Sequence, residues 1–313
     1  MENKRKKLAI IGFGNQAKSW ALNLRDSGYE ITVILRPESG SIGLAKKMGF
    51  QVQTLESDLS NHNSFAVLIP DNDQSAFFNK YSHQFTTDSL FLYAHGHSLV
   101  SEKINEKYPQ FQHALFAPKA IASELRFQYE TKGGLGAVYS VELVNNKEKI
   151  QDQILELAKD LGINCGPYEV MIQDETFADL FSEQSILCSV LPYVSLEIFN
   201  KLRKKGIKAE LCYFEAWYEV KLIADTLMKV GPEKFFELIS PNALIGAQKG
   251  REILLNEEFN NNLDQLLEEI YSGQFFSEIK ESNYDELKKQ TLGFWKGQEL
   301  SQVHKKFENH LYQ

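Results

Sequence analysis

The stretch Lys7-Leu8-Ala9-Ile10-Ile11-Gly12-Phe13-Gly14-Asn15-Gln16-Ala17 decides the fold. Its first five residues are a short run rich in apolar side chains, which reads as a buried strand. The pattern Gly12-x-Gly14-x-x-Ala17 follows at once. Ala17, Trp20, Ala21 and Leu24 then recur at i, i+3, i+4 and i+7, the spacing of one helix face. Gly28 is placed to end that helix. Glu30–Leu35 reads as a second strand. The order strand, glycine turn, helix, strand opens a right-handed parallel unit.

The alternation continues down the chain. Residues 43–48 suit a short helix and 49–52 an edge strand. Residues 65–69, 89–94, 114–117 and 136–141 read as further strands, with the last of these closing the first half. Residues 150–161 read as a helix. From about Ile172 helical periodicity takes over: 174–190, 194–204, 213–230, 232–238, 254–272 and a charged tail. Pro192 is expected to kink or end its helix. The expected organisation is an α/β, Rossmann-type, doubly wound parallel sheet over residues 1–170, then an all-helical domain over 171–313, with the transition near Gly166-Pro167.

The chain has 313 residues, 43% of them hydrophobic and 24% charged, which is the composition of a globular protein. A net charge of −8 argues against a general nucleic-acid binder. The basic run Lys4-Arg5-Lys6-Lys7 reads as a solvated N-terminal extension. Cys165, Cys188 and Cys212 show no CxxC spacing, so neither a disulfide scaffold nor a zinc ribbon is expected. Buried free thiols in a reducing, cytoplasmic setting fit that usage. No apolar stretch approaches 18 residues, so no transmembrane helix and no membrane partner are expected. The basic start lacks a small-residue cleavage site, so no signal peptide is expected.

The glycine turn stands between a strand and a helix, the context in which this pattern binds a dinucleotide. Gly12, Phe13, Gly14, Asn15 and Gln16 would carry the pyrophosphate on the helix N-terminus. The second strand ends in Arg36, with Ser39 and Ser41 close behind. An Arg and two hydroxyls there suit a 2′-phosphate and hence NADPH, while Glu38 suits a bare ribose. Pro70-Asp71, His95-Gly96 and Pro118-Lys119 each follow a strand at its carboxyl end, where ligands gather in parallel sheets. His95 suits proton transfer near neutral pH, and Lys119 suits an anion or an electrophilic hydrogen bond. His62, His83, His97 and His113 read as surface or loop residues.

Two acidic couples lie in the helical half. Asp179 and Glu183 are i and i+4, as are Glu215 and Glu219. Each couple shares a helix face. Asp179 and Glu183 fall in line with Ile186 and Val190, which predicts burial and therefore a cationic partner. Glu215 and Glu219 border the stripe Ala216, Val220, Ile223 and Leu227. An oxygen-only ligand set suits Mg²⁺ or Mn²⁺, and a solvated acidic face is the other reading.

Taken together, these motifs resemble ketol-acid reductoisomerase in its short, class I form. The resemblance rests on the glycine turn with Leu24-Arg25-Asp26-Ser27-Gly28, and on Leu35-Arg36-Pro37, Ile69-Pro70-Asp71, Ala94-His95-Gly96 and Ala117-Pro118-Lys119. More specific are Asp179-Leu-Phe-Ser-Glu183-Gln-Ser-Ile-Leu-Cys188, Tyr213-Phe-Glu215 with Glu219-Val-Lys-Leu-Ile223, and Ile239-Ser240. The resemblance implies an NADPH-dependent oxidoreductase of branched-chain amino-acid biosynthesis, acting on 2-acetolactate and 2-aceto-2-hydroxybutyrate with two Mg²⁺ ions. It implies Asp179, Glu183, Glu215 and Glu219 as metal ligands, the second couple coming from a partner subunit. It places Pro70, Asp71 and His95 beside the cofactor, and His95 and Lys119 in the polar network beside the substrate. Ser240 would hold the substrate carboxylate. A knotted helical domain and an obligate homodimer, or a higher homo-oligomer, follow from the same resemblance. Ala120-Ile121-Ala122-Ser123 and Pro241-Asn-Ala-Leu244-Ile-Gly246 depart from the family pattern and imply a shifted substrate preference. A metal-independent NADP-dependent dehydrogenase and a catalytically silent NADP-binding homologue stay open as alternatives.

Overall fold

The computed structural model describes residues 6–311. The chain forms two compact units, Met1–Ala178 and Asp179–Gln313. In the first unit the described residues form one eight-stranded sheet. Its strands are β1 (Lys7–Ile11), β2 (Glu30–Leu35), β3 (Gln51–Thr54), β4 (Ser64–Val67), β5 (Leu90–Tyr93), β6 (Gln112–Pro118), β7 (Gly136–Ser140) and β8 (Cys165–Glu169). The spatial order is β3-β2-β1-β4-β5-β6-β7-β8. Between them run α1 (Asn15–Asp26), α2 (Ile42–Lys47), α3 (Asp71–Tyr81), α4 (His97–Val100), α5 (Ile104–Lys107), α6 (Ala122–Thr131) and α7 (Lys147–Leu161), with α8 (Ile172–Ser182) after β8.

β1 shows why this sequence makes a central strand. Leu8 and Ile10 enter the core cluster on one face, and Ala9 and Ile11 enter the cluster on the other. A strand covered on both faces needs an unbroken apolar run, because successive side chains point to opposite sides. On α1, Ala17, Trp20, Ala21 and Leu24 are all fully buried, and the Trp20 ring meets Phe116 edge-on at 5.4 Å. Buried Asn23 is satisfied: it donates to the Leu125 and Leu161 carbonyls and accepts from Arg126.

The sheet is not wholly parallel, as the alternation had suggested. β7 pairs antiparallel with β6. A further strand, β8, pairs parallel with β7. It was hidden because Gly166 and Pro167 lie inside it. An edge strand tolerates proline on its unpaired side. His97 and His113 are also not surface residues; both are buried. His113 Nδ1 accepts from the Tyr93 hydroxyl at 2.9 Å, and Nε2 donates to the Tyr108 carbonyl at 3.1 Å. Lys6 pairs with Glu156 and Asp160, and Lys7 with Glu30; Lys4 and Arg5 lie outside the described residues.

The second unit is helical. A π-helical segment, Glu183–Val190, joins α8 to α9 (Leu191–Lys204). Pro192 therefore does not stop the helix. The i→i+5 register of the π segment ends where Pro192 occupies the first turn of α9, and a proline is tolerated in a first turn. The run Ile172–Lys204 is 33 residues long and, by averaged hydropathy, has the length and composition of a membrane span. Carboxylates interrupt it, so it holds no unbroken apolar run of 18 residues. Further along come α10 (Ala209–Tyr213), a second π segment (Phe214–Tyr218), α11 (Glu219–Val230), α12 (Pro232–Leu238) and α13 (Pro241–Leu254). α14 (Glu257–Tyr271), α15 (Gln274–Glu281), α16 (Tyr284–Lys296) and α17 (Glu299–Leu311) complete it. Leu300 and Val303 of α17 pack on Cys212, Tyr213 and Ala216, and the Tyr213 hydroxyl bonds His304 Nδ1 at 2.8 Å. No disulfide joins the cysteines; Cys212 is buried, but Cys165 and Cys188 are exposed, against the expectation of three buried thiols.

Candidate active site

The chain runs from β1 to β3 in one direction and then returns to place β4 on the other side of β1. That reversal opens a crevice at the carboxyl ends of β1 and β4. A cavity of about 340 Å³ lies there, lined by Gly12, Phe13, Gly14, Arg36, Ser39, Ser41 and Pro70 among others. Gly12 has φ +101°, and a Cβ on it would stand 2.6 Å from the Leu68 carbonyl oxygen. Only glycine suits both conditions. At Gly14 a Cβ would meet nothing within 4 Å. Gly14 caps α1 without any side-chain hydrogen bond, so the first turn, Asn15 and Gln16 included, faces an open approach. This combination of space and helix N-terminus fits a pyrophosphate. Asn15, Gln16, Asp71 and His95 do not line the cavity itself.

Further along the same sheet edge the structure brings a polar cluster together. His95 Nδ1 lies 3.9 Å from Asp71 Oδ2 and accepts from the His97 backbone N–H at 3.2 Å. Gln74 donates to Asp71 Oδ1 at 3.0 Å and accepts from the Ser98 hydroxyl at 2.5 Å. The His95 and His97 rings stack with centroids 6.4 Å apart. Lys119 Nζ donates to Glu175 Oε1 at 2.7 Å, and the Gly96 N–H donates to Glu175 Oε2 at 3.2 Å. The Glu175 side chain is 1% exposed and that of Lys119 39%. A carboxylate so deeply buried needs both donors. α8 reaches the strand edge because Gly96 has no side chain: a Cβ there would be 2.1 Å from Thr176 Oγ1.

Glu175 was not singled out from the sequence. Its signal is spacing: Glu175, Asp179 and Glu183 stand at i, i+4 and i+8, and only the last two belong to the quoted motif. α8 carries Glu175 and, one turn further on, Asp179.

The acidic couples behave differently from their helical phase. Asp179 is half-buried, whereas Glu183 is exposed and Ile186 is 54% exposed. The π segment starting at Glu183 rotates the later positions out of the 3.6-residue phase, so the stripe does not become a buried face. Partial desolvation, and then the Glu183 and Asp179 carboxylates, push the pKa of the exposed Cys188 thiol up. Glu215 lies in the second π segment and Glu219 opens α11; both are exposed. Among the described residues, Glu183, Glu215 and Glu219 join no cluster of metal-ligand spacing. Ser240 caps α13, its hydroxyl accepting from the Ala243 N–H at 3.2 Å.

The chain matches two family models in succession. Residues 3–166 match "Acetohydroxy acid isomeroreductase, NADPH-binding domain" and residues 172–312 match "Ketol-acid reductoisomerase, C-terminal domain". It is 31% identical to the ketol-acid reductoisomerase (NADP(+)) of Methanocaldococcus jannaschii, over 88% of this chain and 83% of the relative. It is 34% identical to that of Helicobacter acinonychis, over 90% and 86%. Its structure superposes on that of an NADH-preferring ketol-acid reductoisomerase from an uncultured archean with a TM-score of 0.89, at 25% identity, covering 98% of this chain and 95% of the other. Two family models matched in order along nearly the whole length place the chain in the ketol-acid reductoisomerase family of NADP-dependent oxidoreductases.

Proposed function

We propose that the chain is an NADPH- and Mg²⁺-dependent ketol-acid reductoisomerase that converts 2-acetolactate-like substrates into 2,3-dihydroxy acids in branched-chain amino-acid biosynthesis. The observation that carries this reading is the buried Glu175 carboxylate, which fixes Lys119 and Gly96 beside His95. The Lys119 ammonium neutralises Glu175, and the Lys119 side chain is still 39% exposed. It suits a substrate that brings its own negative charge.

The glycine turn would hold the pyrophosphate of NADPH, and Arg36, Ser39 and Ser41 its 2′-phosphate. When bound, the nicotinamide supplies the hydride. Asp179 and Glu183 would hold Mg²⁺ together with Glu215 and Glu219 of a second copy, an oxygen-only set that fits a hard divalent cation. Held there, Mg²⁺ would supply Lewis-acid polarisation of the substrate's ketone and neighbouring hydroxyl. The protein's own work is positioning and proton handling. Lys119, anchored by Glu175, would place its positive charge beside a substrate oxygen. His95, whose Nδ1 accepts from the His97 N–H, would offer its imidazole for proton exchange with the substrate. Ser240 would bind the substrate carboxylate. Ile121, 75% exposed and two residues from Lys119, offers an alkyl contact at the mouth of the cluster.

Homodimerisation is part of this reading. Leu187, Leu191, Val194 and Ile198 are all more than 40% exposed along one helical run, as are Leu222 and Ile223 on α11. Apolar exposure on this scale calls for a covering partner, and a second copy would at the same time complete the metal site. The absence of disulfide pairing suits a cytoplasmic setting. The test is product identity. The reading predicts 2,3-dihydroxyisovalerate from 2-acetolactate, detected by mass spectrometry. NADPH oxidation that yields only the unrearranged diol sinks it.

A further inference from the structure

The dinucleotide cavity has a wall that the glycine turn and the β2 loop do not supply. That wall is α3, and it ends in Lys80 and Tyr81, which line the cavity with Arg36, Ser39 and Ser41. α3 begins at Asp71, beside the polar cluster. Lys80 is nine residues later, about 13 Å further along the helix axis. It therefore stands away from Pro70, which precedes α3, although both line the cavity. Its Nζ rides 5.0 Å from the centre of the Tyr81 ring.

Charge locates Lys80 more closely. Contact with the Tyr81 hydroxyl first, and then the carboxylates of Glu38 and Glu56, stabilise its ammonium form. Glu38 sits in the same loop as Arg36, Ser39 and Ser41. A carboxylate in that loop is the residue type that accepts from a bare ribose 2′-hydroxyl and repels a 2′-phosphate. Among the described residues, Arg36 and Lys80 are the two cations that line the cavity, and Asp73 of α3 is its one lining carboxylate. A phosphate entering between them meets two cations instead of one. Lysine acts there as a movable point charge, reaching a phosphate oxygen without the fixed fork geometry of arginine.

We propose that Lys80 is a specificity-determining residue: a second cation, on α3, that offsets Glu38 and turns the adenosine end of the cavity toward the 2′-phosphate of NADPH. The inference rests on the NADPH reading above. It makes cofactor preference in this chain depend on a helix outside the β2 loop.

The test is direct binding of two cofactor fragments, 2′,5′-ADP and 5′-AMP, to the full-length protein by titration calorimetry. Lys80 is exposed, so its replacement leaves the core intact. Loss of one charge-assisted phosphate contact predicts that K80Q binds 2′,5′-ADP about tenfold more weakly and 5′-AMP within about twofold of wild type. K80R should retain most of the preference, and E38Q should strengthen 2′,5′-ADP binding. A K80Q variant that keeps the wild-type preference overturns the role of Lys80 and leaves the NADPH reading standing. Equal weakening of both fragments also overturns it, since that marks a general effect on the cavity. Wild-type protein that binds 2′,5′-ADP no better than 5′-AMP overturns both.

Discussion

Lys119 and Glu175 form a hydrogen-bonded ion pair at 2.7 Å in which the carboxylate is buried and the ammonium is not. The asymmetry matters. Glu175 depends on Lys119 and on the Gly96 N–H for its solvation, whereas the Lys119 side chain is 39% exposed. Glu175→Gln keeps an acceptor for Gly96 and removes the charge that orients Lys119. It should cost about 1 kcal/mol of stability and lower kcat/KM at least about a hundredfold, roughly 3 kcal/mol of transition-state stabilisation. Urea unfolding and steady-state kinetics check the two numbers. A variant with near wild-type kcat/KM removes the pair from the chemistry.

Gly96→Ala tests how tightly α8 is seated on the sheet edge. The new Cβ would need the space of Thr176 Oγ1 and would stand 2.8 Å from Ile172 Cγ2. Overpacking of this kind costs about 1–3 kcal/mol, and it displaces the helix that carries Glu175. Activity should fall with stability. The double variant with Thr176→Ser, which keeps the clashing hydroxyl, should not rescue it, while Thr176→Gly should do so in part.

Stability should depend on pH through His113. Burial pulls its pKa from 6.5 down to about 4. A histidine depressed on folding binds a proton in the unfolded chain first, so its contribution is complete above pH 6.5 and is lost as pH falls toward 4. At pH 5 the expected loss is about 2 kcal/mol relative to pH 7. His113→Gln should lack that part of the pH dependence. Parallel denaturant curves for the two proteins at pH 7 and pH 5 measure it; identical slopes would contradict the assignment.

Much of this was legible in the sequence, and the failures have particular causes. The glycine turn and the strands at the carboxyl edge were readable because apolar runs and Gly12 leave few alternatives. β8 was lost behind Gly166-Pro167, since proline speaks against a strand except at an edge. The buried stripe drawn through Asp179, Glu183, Ile186 and Val190 assumed 3.6 residues per turn, and the π segment over Glu183–Val190 breaks that assumption. α13 was missed because Pro241, Gly246 and Gly250 argue against a helix; Ser240 caps it and Pro241 fills its first turn, where proline is favourable. Glu175 went unnoticed because nothing local tells a buried carboxylate from a solvated one until Lys119 and Gly96 are brought to it.

The shared metal site has a prediction of its own. If one copy supplies Asp179 and Glu183 and the other Glu215 and Glu219, then D179N and E215Q each inactivate both sites of a homodimer. Co-expressed in one cell, the two variants form mixed dimers with one intact site and one doubly damaged site. Purified mixed dimers should regain up to about half of the wild-type rate, since each dimer keeps one of its two sites. No recovery in verified mixed dimers would mean that the two couples do not meet across an interface.

The central claim is that isomerisation and reduction are joined in one metal-dependent site. Its most direct test is NADPH oxidation with 2-acetolactate, measured with Mg²⁺, after EDTA, and in the Asp179→Asn protein. The account predicts turnover with Mg²⁺ only, and a loss of at least about a thousandfold in D179N, of the size seen when a principal electrostatic stabiliser is removed, with 2′,5′-ADP binding unchanged. Turnover of 2-acetolactate that survives EDTA and the loss of Asp179 would contradict it.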